Sequence, residues 1–232
     1  MKDATFDLVD VSHTVEEGIT TYPGLPAPAI GDYLGREQSR AHYAPGTEFH
    51  IGRIDMVANT GTYVDAPFHR FPGGVDLSEL SLRKLANLEG LVVRIPVESQ
   101  PAIDAPHLHD LSLTGRAVLI HTGWSKYWKT EQYFDGHPFL TEDAALYLRD
   151  NGALMVGIDS LNIDDTSDGR RPAHSILLQA EIPIVEHLTR LDRLPDDGFR
   201  FFAVPVKVKD LGSFPVRAFG LVPAVPLTSY ET

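Results

Sequence analysis

Asp65 and His69 stand four residues apart, just beyond Gly61 and on either side of Pro67, so one short segment carries a carboxylate and an imidazole. Such a pair suits hydrolytic chemistry. The carboxylate holds a metal ion or acts as a base, and the imidazole, which changes protonation near neutral pH, shuttles a proton. The plain alternative is a turn aspartate beside a surface histidine. A second pair, His174 and Glu186, lies far downstream with Ser-Ile-Leu-Leu-Gln-Ala-Glu-Ile-Pro-Ile-Val between its members. That stretch reads as a helix followed by a short strand. His174 then sits at the helix start and Glu186 at the carboxyl end of the strand, where ligands collect in α/β folds. Imidazole and carboxylate donors together suit zinc, manganese or a similar divalent ion. The alternative is a capping histidine and a surface glutamate.

The elements that must position these residues follow from pattern. Phe6 to Val11 and Phe49 to Ala58 alternate well enough for strands, the second leading into the Asp65 segment. Between them, Pro23, Pro26 and Pro28 forbid a helix over Thr20 to Pro28, which must be a loop. Leu91 to Pro96 and Ala117 to Thr122 are short apolar runs typical of buried strands. Thr141 to Gly152 is the clearest helix, with Thr141 as N-cap, acidic residues in its first turn and Gly152 at its C-terminal cap. Ala153 to Ile158 reads as a strand, His174 to Glu181 as a helix and Ile182 to Glu186 as a strand. This strand–helix–strand rhythm predicts an α/β class. With no repeat and no Gly/Ser linker, residues 1–232 read as one domain.

Other groups carry weaker signals. His13, His42, His107, His109, His137 and His187 have polar sequence neighbours and read as solvated, while His121 points into either a site or the core. His50 could serve as a replacement ligand, although a half-buried strand histidine is usually structural. Asp164, Asp165 and Asp168 form an acidic loop without EF-hand spacing, read as solvated. There is no G-x-G-x-x-G, Walker or G-x-S-x-G pattern, which weighs against nucleotide binding and serine hydrolysis.

A net charge of −12 argues against nucleic acid and anionic membrane surfaces as partners. The absence of cysteine removes disulfides, thiol catalysis and Cys-based zinc sites. A chain of 232 residues folds without a structural metal, so any ion here is expected to be catalytic. Met1 to Asp7 holds no apolar leader and no run approaches a membrane span, so the expectation is a cytoplasmic protein acting on a small molecule.

Asn59-Thr-Gly-Thr-Tyr-Val-Asp-Ala-Pro-Phe-His69 resembles the H-x-G-T-H-x-D-x-P-x-H motif of the cyclase-like metal hydrolases, which include bacterial kynurenine formamidases and isatin hydrolases. Val9-Asp-Val-Ser-His, Tyr22-Pro-Gly, Leu119-Ile-His-Thr-Gly-Trp-Ser and Val156-Gly-Ile-Asp-Ser also resemble family elements, in the same order. The resemblance implies a single compact α/β domain with a mixed, partly barrel-like sheet flanked by helices, of the swivelling β/β/α type. It also implies two metal sites built around one shared aspartate. Carried over by position, Asp65, His174 and Glu186 are metal ligands and His69 is the acid/base. Asn59 and Tyr63 replace both histidines of the other site. Neither replaces an imidazole well, since tyrosine binds strongly only as a phenolate.

The sequence therefore points to one divalent ion, zinc or manganese, or to none. The expected activity is arylformamidase-like hydrolysis of an amide or cyclic amide, such as N-formylkynurenine or a related small aromatic amide. Tyr22, Asn59 and Trp124 are expected to contact substrate, and the Tyr63 hydroxyl to donate to the oxyanion. The rival expectation is a small-molecule binding protein, or a metal-free lyase or isomerase, on the same scaffold. The resemblance also implies a homodimer or homotetramer.

Overall fold

A computed structural model describes residues 6–95 and 101–224. The chain forms strands β1 (Phe6–Asp10) and β2 (Ala29–Leu34), a one-turn helix α1 (Arg36–Ser39), then β3 (Ile51–Asp55), β4 (Tyr63–Asp65), β5 (Leu88–Arg94), β6 (Ala102–Ile103), β7 (Arg116–His121) and β8 (Phe139–Leu140). Helix α2 (Glu142–Asp150), β9 (Met155–Ile158), α3 (Pro172–Gln179), β10 (Ile184–Glu186), β11 (Arg200–Phe202), β12 (Ser213–Pro215) and β13 (Phe219–Pro223) follow. Nine strands join in one sheet of order β1-β13-β11-β5-β7-β9-β10-β4-β12. Its centre, β5-β7-β9-β10, is parallel and its flanks are antiparallel. The fold is the expected α/β domain with a mixed sheet.

Both faces of the centre are buried, which is why those strands read as continuous apolar runs rather than alternating ones. On β7, Ala117 and Leu119 enter one core while Val118 and Ile120 enter the other. The second core is closed by Ala144, Ala145 and Leu148 of α2 and by Ala173, Leu177 and Leu178 of α3. The first gathers Val64 of β4, Leu88 and Val92 of β5, Val185 of β10 and Phe201 of β11. Strands from both ends of the sheet order meet there, as they do when a sheet curls around its own core.

Most predicted elements are present with shifted ends. Thr141 caps α2, its hydroxyl accepting from the Ala144 amide. The Phe49–Ala58 strand is shorter, and every residue of β3 is exposed. β3 pairs only with β2, as a two-stranded ribbon separate from the large sheet. His50 is accordingly outside the core, and its Nε2 lies 2.7 Å from Asp32. The expected strand end at Pro96 and the leader reading over the first five residues lie outside the described residues. Among the described residues no helix is long and apolar enough to cross a membrane.

Three histidines expected in solvent are instead enclosed: His13, His137 and His187. His13 stacks on Trp128 with ring centroids 4.1 Å apart. Burial, then the charges of Arg190 and Lys129, lower its pKa to about 4. The unfolded chain takes up this proton around pH 6.5, whereas the folded chain takes it up only near pH 4, so stability falls as pH drops through that window. At ~1.4 kcal/mol for each pH unit of the window, the limit is about 3 kcal/mol. His137 and His187 shift in the same direction, led by burial. Urea unfolding of chelator-treated protein is expected to show this loss between pH 6.5 and about pH 4. His13→Phe, which preserves the stack, retains more of its stability at the lower pH.

Candidate active site

Strand register assembles the site. β4 lies between β10 and β12 and is antiparallel to both. Tyr63 is paired with Glu186 on one side, and Asp65 with Ser213 on the other. Residues two apart on a strand share a face, so Tyr63 and Asp65 face the same way and meet their cross-strand partners. The Tyr63 hydroxyl donates to Glu186 Oε2 at 2.5 Å, and Ser213 Oγ donates to Asp65 Oδ1. After β4, Pro67–His69 forms a short 3-10 turn that swings His69 back over the strand. Gly212 lets the backbones meet there, because a Cβ on it would fall 2.4 Å from the His69 nitrogen.

His174 arrives from α3, whose first turn begins at Pro172. Asp164 fixes it: this buried carboxylate accepts from the Ala173 and His174 amides and from His174 Nδ1, the last at 2.6 Å. Asp164 is thus an internal cap and not part of a solvated acidic loop. Asp165 and Asp168 are occupied by Ser167 and Arg170. With Nδ1 committed to Asp164, His174 turns Nε2 toward Asp65 Oδ2 at 3.6 Å and Glu186 Oε1 at 3.7 Å.

Asp65, His69 and His174 each offer a ligand atom within 4.8 Å of the others. Asp65 is fully buried, and its Oδ2 has no hydrogen-bond partner. An orphaned buried carboxylate oxygen is costly unless a cation or donor reaches it. A carboxylate holding the far nitrogen of a ligating imidazole is the usual outer support of a metal site. Asp65, His69 and His174 therefore present a donor set that suits one divalent ion, with Glu186 Oε1 3.7 Å from His174 Nε2 beside it. The other family position does not fit one. Burial, then the charges of Glu186 and Asp65, raise the Tyr63 pKa well above its ordinary value near 10, so no phenolate is offered.

Charges within the site depend on one another. Burial opposes protonation of His174, but its bond to Asp164 and the nearby carboxylates of Asp65 and Glu186 outweigh it and raise its pKa to about 10. Burial raises Glu186 to about 7, against the charge of His174. Ser213 also links the two residues of the first sequence pair: it donates to Asp65 and lies 2.9 Å from His69 Nδ1. Because the serine proton is directed to Asp65, Ser213 Oγ accepts from His69 Nδ1–H, which leaves His69 Nε2 as the free base.

A cavity of about 490 Å³ opens above these groups. Tyr22, Pro23, Gly24 and Leu25 of the proline-rich loop form one wall, and Asn59, Tyr63, His69, His174 and Glu186 line the inner part. Arg70, Asn162 and Arg171 complete it. Two sequence expectations are corrected. Trp124 is not a wall of this cavity: it is buried against Tyr133 and Leu161, with Nε1 donating to the Tyr133 carbonyl, and Tyr22 packs against that cluster. Tyr63 has one hydroxyl proton, and Glu186 takes it, so Tyr63 positions Glu186 and does not serve an oxyanion. Asn59 hydrogen-bonds the Tyr63 hydroxyl.

Residues 9–165 match the family described as "Putative cyclase". The chain belongs to this family. Kynurenine formamidase of Bacillus cytotoxicus is 28% identical over 211 residues, which cover 90% of this chain and 95% of that one. The Bacillus cereus enzyme is 28% identical over 215 residues, covering 92% and 97%. Among solved cyclase-type structures, a potential metal-dependent hydrolase with cyclase activity superposes with a TM-score of 0.77 at 26% identity, over 96% of this chain and all of the other. Isatin hydrolase A from Labrenzia aggregata, bound to benzyl benzoate, shares the fold at a TM-score of 0.80 and 20% identity, over 94% of each chain.

Ser213, Asp164, Asn162, Arg70 and Arg171 were not legible as site residues in the sequence. Arg70 adjoins His69, but Asp164 stands well before its helix, whose N-cap is Arg171, and Ser213 has no local signal. Asp164→Asn keeps the size of the side chain and removes its charge. It is expected to weaken divalent-metal affinity by about 10- to 100-fold, read by competition with a chromogenic chelator. Restoring imidazoles with Asn59→His and Tyr63→His together is expected to add a second metal equivalent per chain, measured by elemental analysis.

Proposed function

We propose that this chain is a metal-dependent amide hydrolase of the arylformamidase kind, acting on N-formylkynurenine or a related small aromatic amide. The observation that carries the reading is one cavity lined by His69, with Nε2 left as its base, and by the supported imidazole of His174, whose Nε2 lies 3.6 Å from the orphaned Asp65 oxygen. The kynurenine formamidases similar over nine-tenths of the chain support it. Asp65, His174 and Glu186 would hold the ion, zinc or manganese, which when bound supplies a Lewis acid and lowers the pKa of water.

The chain's own residues supply the rest. His69 Nε2 takes a proton as water adds to the formyl carbon, and Ser213 and Asp65 keep the ring in the orientation that allows it. The same proton then passes to the amine nitrogen as the C–N bond breaks, giving formate and the aryl amine. Tyr22 and Leu25 cover an aromatic ring. Tyr63 and the Ile163 amide hold Glu186 in place through its two oxygens. A cytoplasmic, homo-oligomeric protein belongs to the same reading. Supporting an oligomer, the β2–β3 ribbon exposes Ile30, Tyr33, Ile51 and Ile54.

Purified protein is expected to release formate and aryl amine in equal amounts, to lose this activity on chelation and to regain it with zinc or manganese. His69→Ala should lower kcat by about 10²- to 10⁴-fold with bound metal unchanged. Loss of metal in that variant would make His69 a ligand rather than the base. Full activity after chelation would make the metal dispensable, and the absence of formate release would favour the binding protein or the metal-free lyase or isomerase.

A further inference from the structure

Two arginines line the cavity, and the reaction outlined above uses neither. Arg70 follows His69 at the end of the 3-10 turn, and Arg171 is the N-cap residue of α3. Among the described residues, neither guanidinium has a carboxylate within 4.0 Å. Arg70 donates from Nε to Ser175 Oγ at 3.1 Å, and among the described residues its two terminal amino groups have no protein acceptor. Arg171 donates from Nη1 to the Asp165 carbonyl at 2.9 Å and also reaches the Tyr22 hydroxyl. Its backbone is left-handed, at φ 50° and ψ 60°, a conformation that non-glycine residues adopt at a cost and that is common at ligand sites. This turn places the residue between the acidic loop and the cavity, and the carbonyl bond anchors one edge of its guanidinium.

The cavity is therefore bipolar. The Glu186 carboxylate lines it, with Asp65 buried 3.6 Å from His174, and the same lining carries two cations with open donors, Arg70 and Arg171. A net charge of −12 gives the molecule a field that repels anions, so any anion bound here needs local cations. Guanidinium groups offer paired N–H donors that match a carboxylate. A volume of about 490 Å³ accommodates one aromatic ring with a short polar substituent.

We propose that Arg70 and Arg171 form a carboxylate-binding subsite, so that the preferred amide substrate carries a free carboxylate on or near its aromatic ring. The substrate wording rests on the hydrolase reading, but the subsite is tested by binding alone. Calorimetric titration of the metal-loaded protein with benzoate and with benzamide, which have the same shape and differ in charge, is the direct measurement. The parent is expected to bind benzoate about tenfold more tightly or better. In Arg70→Gln with Arg171→Gln, the preference should fall to within about twofold while benzamide affinity is retained. Arg70→Gln alone, at an exposed position outside the sheet and helices, should lower the preference several-fold and keeps the test open if the double variant misfolds. Equal binding of both ligands by the parent, or no benzoate binding at about 10 mM, overturns the subsite. So does a benzoate preference that survives both substitutions, since another group would then hold the anion. None of these results requires turnover, so a protein that fails to hydrolyse formamides would leave the subsite standing.

Discussion

The Asp65 carboxylate is the constraint around which the site is organised. It is fully buried, accepts one hydrogen bond through Oδ1 and leaves Oδ2 without a partner. An ionised carboxylate taken out of water costs several kcal/mol unless charge or donors reach it. Each neighbour is arranged against that cost. Ser213 donates from the adjacent strand, and His174 turns its free nitrogen toward the open oxygen. A divalent ion in place of the His174 proton would complete this arrangement with the chemistry that hydrolysis needs.

The replacement of imidazole by phenol at Tyr63 has consequences beyond a lost ligand. Tyrosine at this register position faces Glu186 directly, and its hydroxyl supplies a short hydrogen bond to that carboxylate. With the Ile163 amide on the other oxygen, Glu186 is held from both sides. The family resemblance implies a metal-ligand histidine at this position; here the phenol instead supports Glu186. The substitution is compatible with one ion and removes the donor set for two.

Behind this floor lies a layer of histidines and aromatic rings with no access to the cavity. His187 accepts or donates at Nδ1 with the Tyr133 hydroxyl, 2.8 Å away, and its ring lies 5.3 Å from Tyr63. Its backbone is left-handed at φ 56°. Burial lowers its pKa well below the ordinary value, and the nearby charges of His13 and His137 act in the same direction. This neutral, tightly packed layer excludes water behind Tyr63 and Glu186, which keeps the local dielectric low and the charge coupling of the site strong.

Local sequence determined the chemistry-bearing residues and most of the secondary structure. Thr141 with two acids in the next turn marks a helix start, and the apolar run Ala117–Ile120 is buried on both faces because it has no polar face to expose. Asp65, His69, His174 and Glu186 stood out through the motif resemblance to the cyclase-like hydrolases, since their types and spacings alone also fit turn, capping and surface side chains. Tertiary structure decided which groups complete them. Ser213 is 148 residues from Asp65 in sequence and meets it only through the β4–β12 register. Whether His187 is solvated or enclosed, and whether Trp124 faces a substrate or a core, depends on which layer of a curled sheet the chain passes through. Those relations are long-range, and no local pattern of residues encodes them.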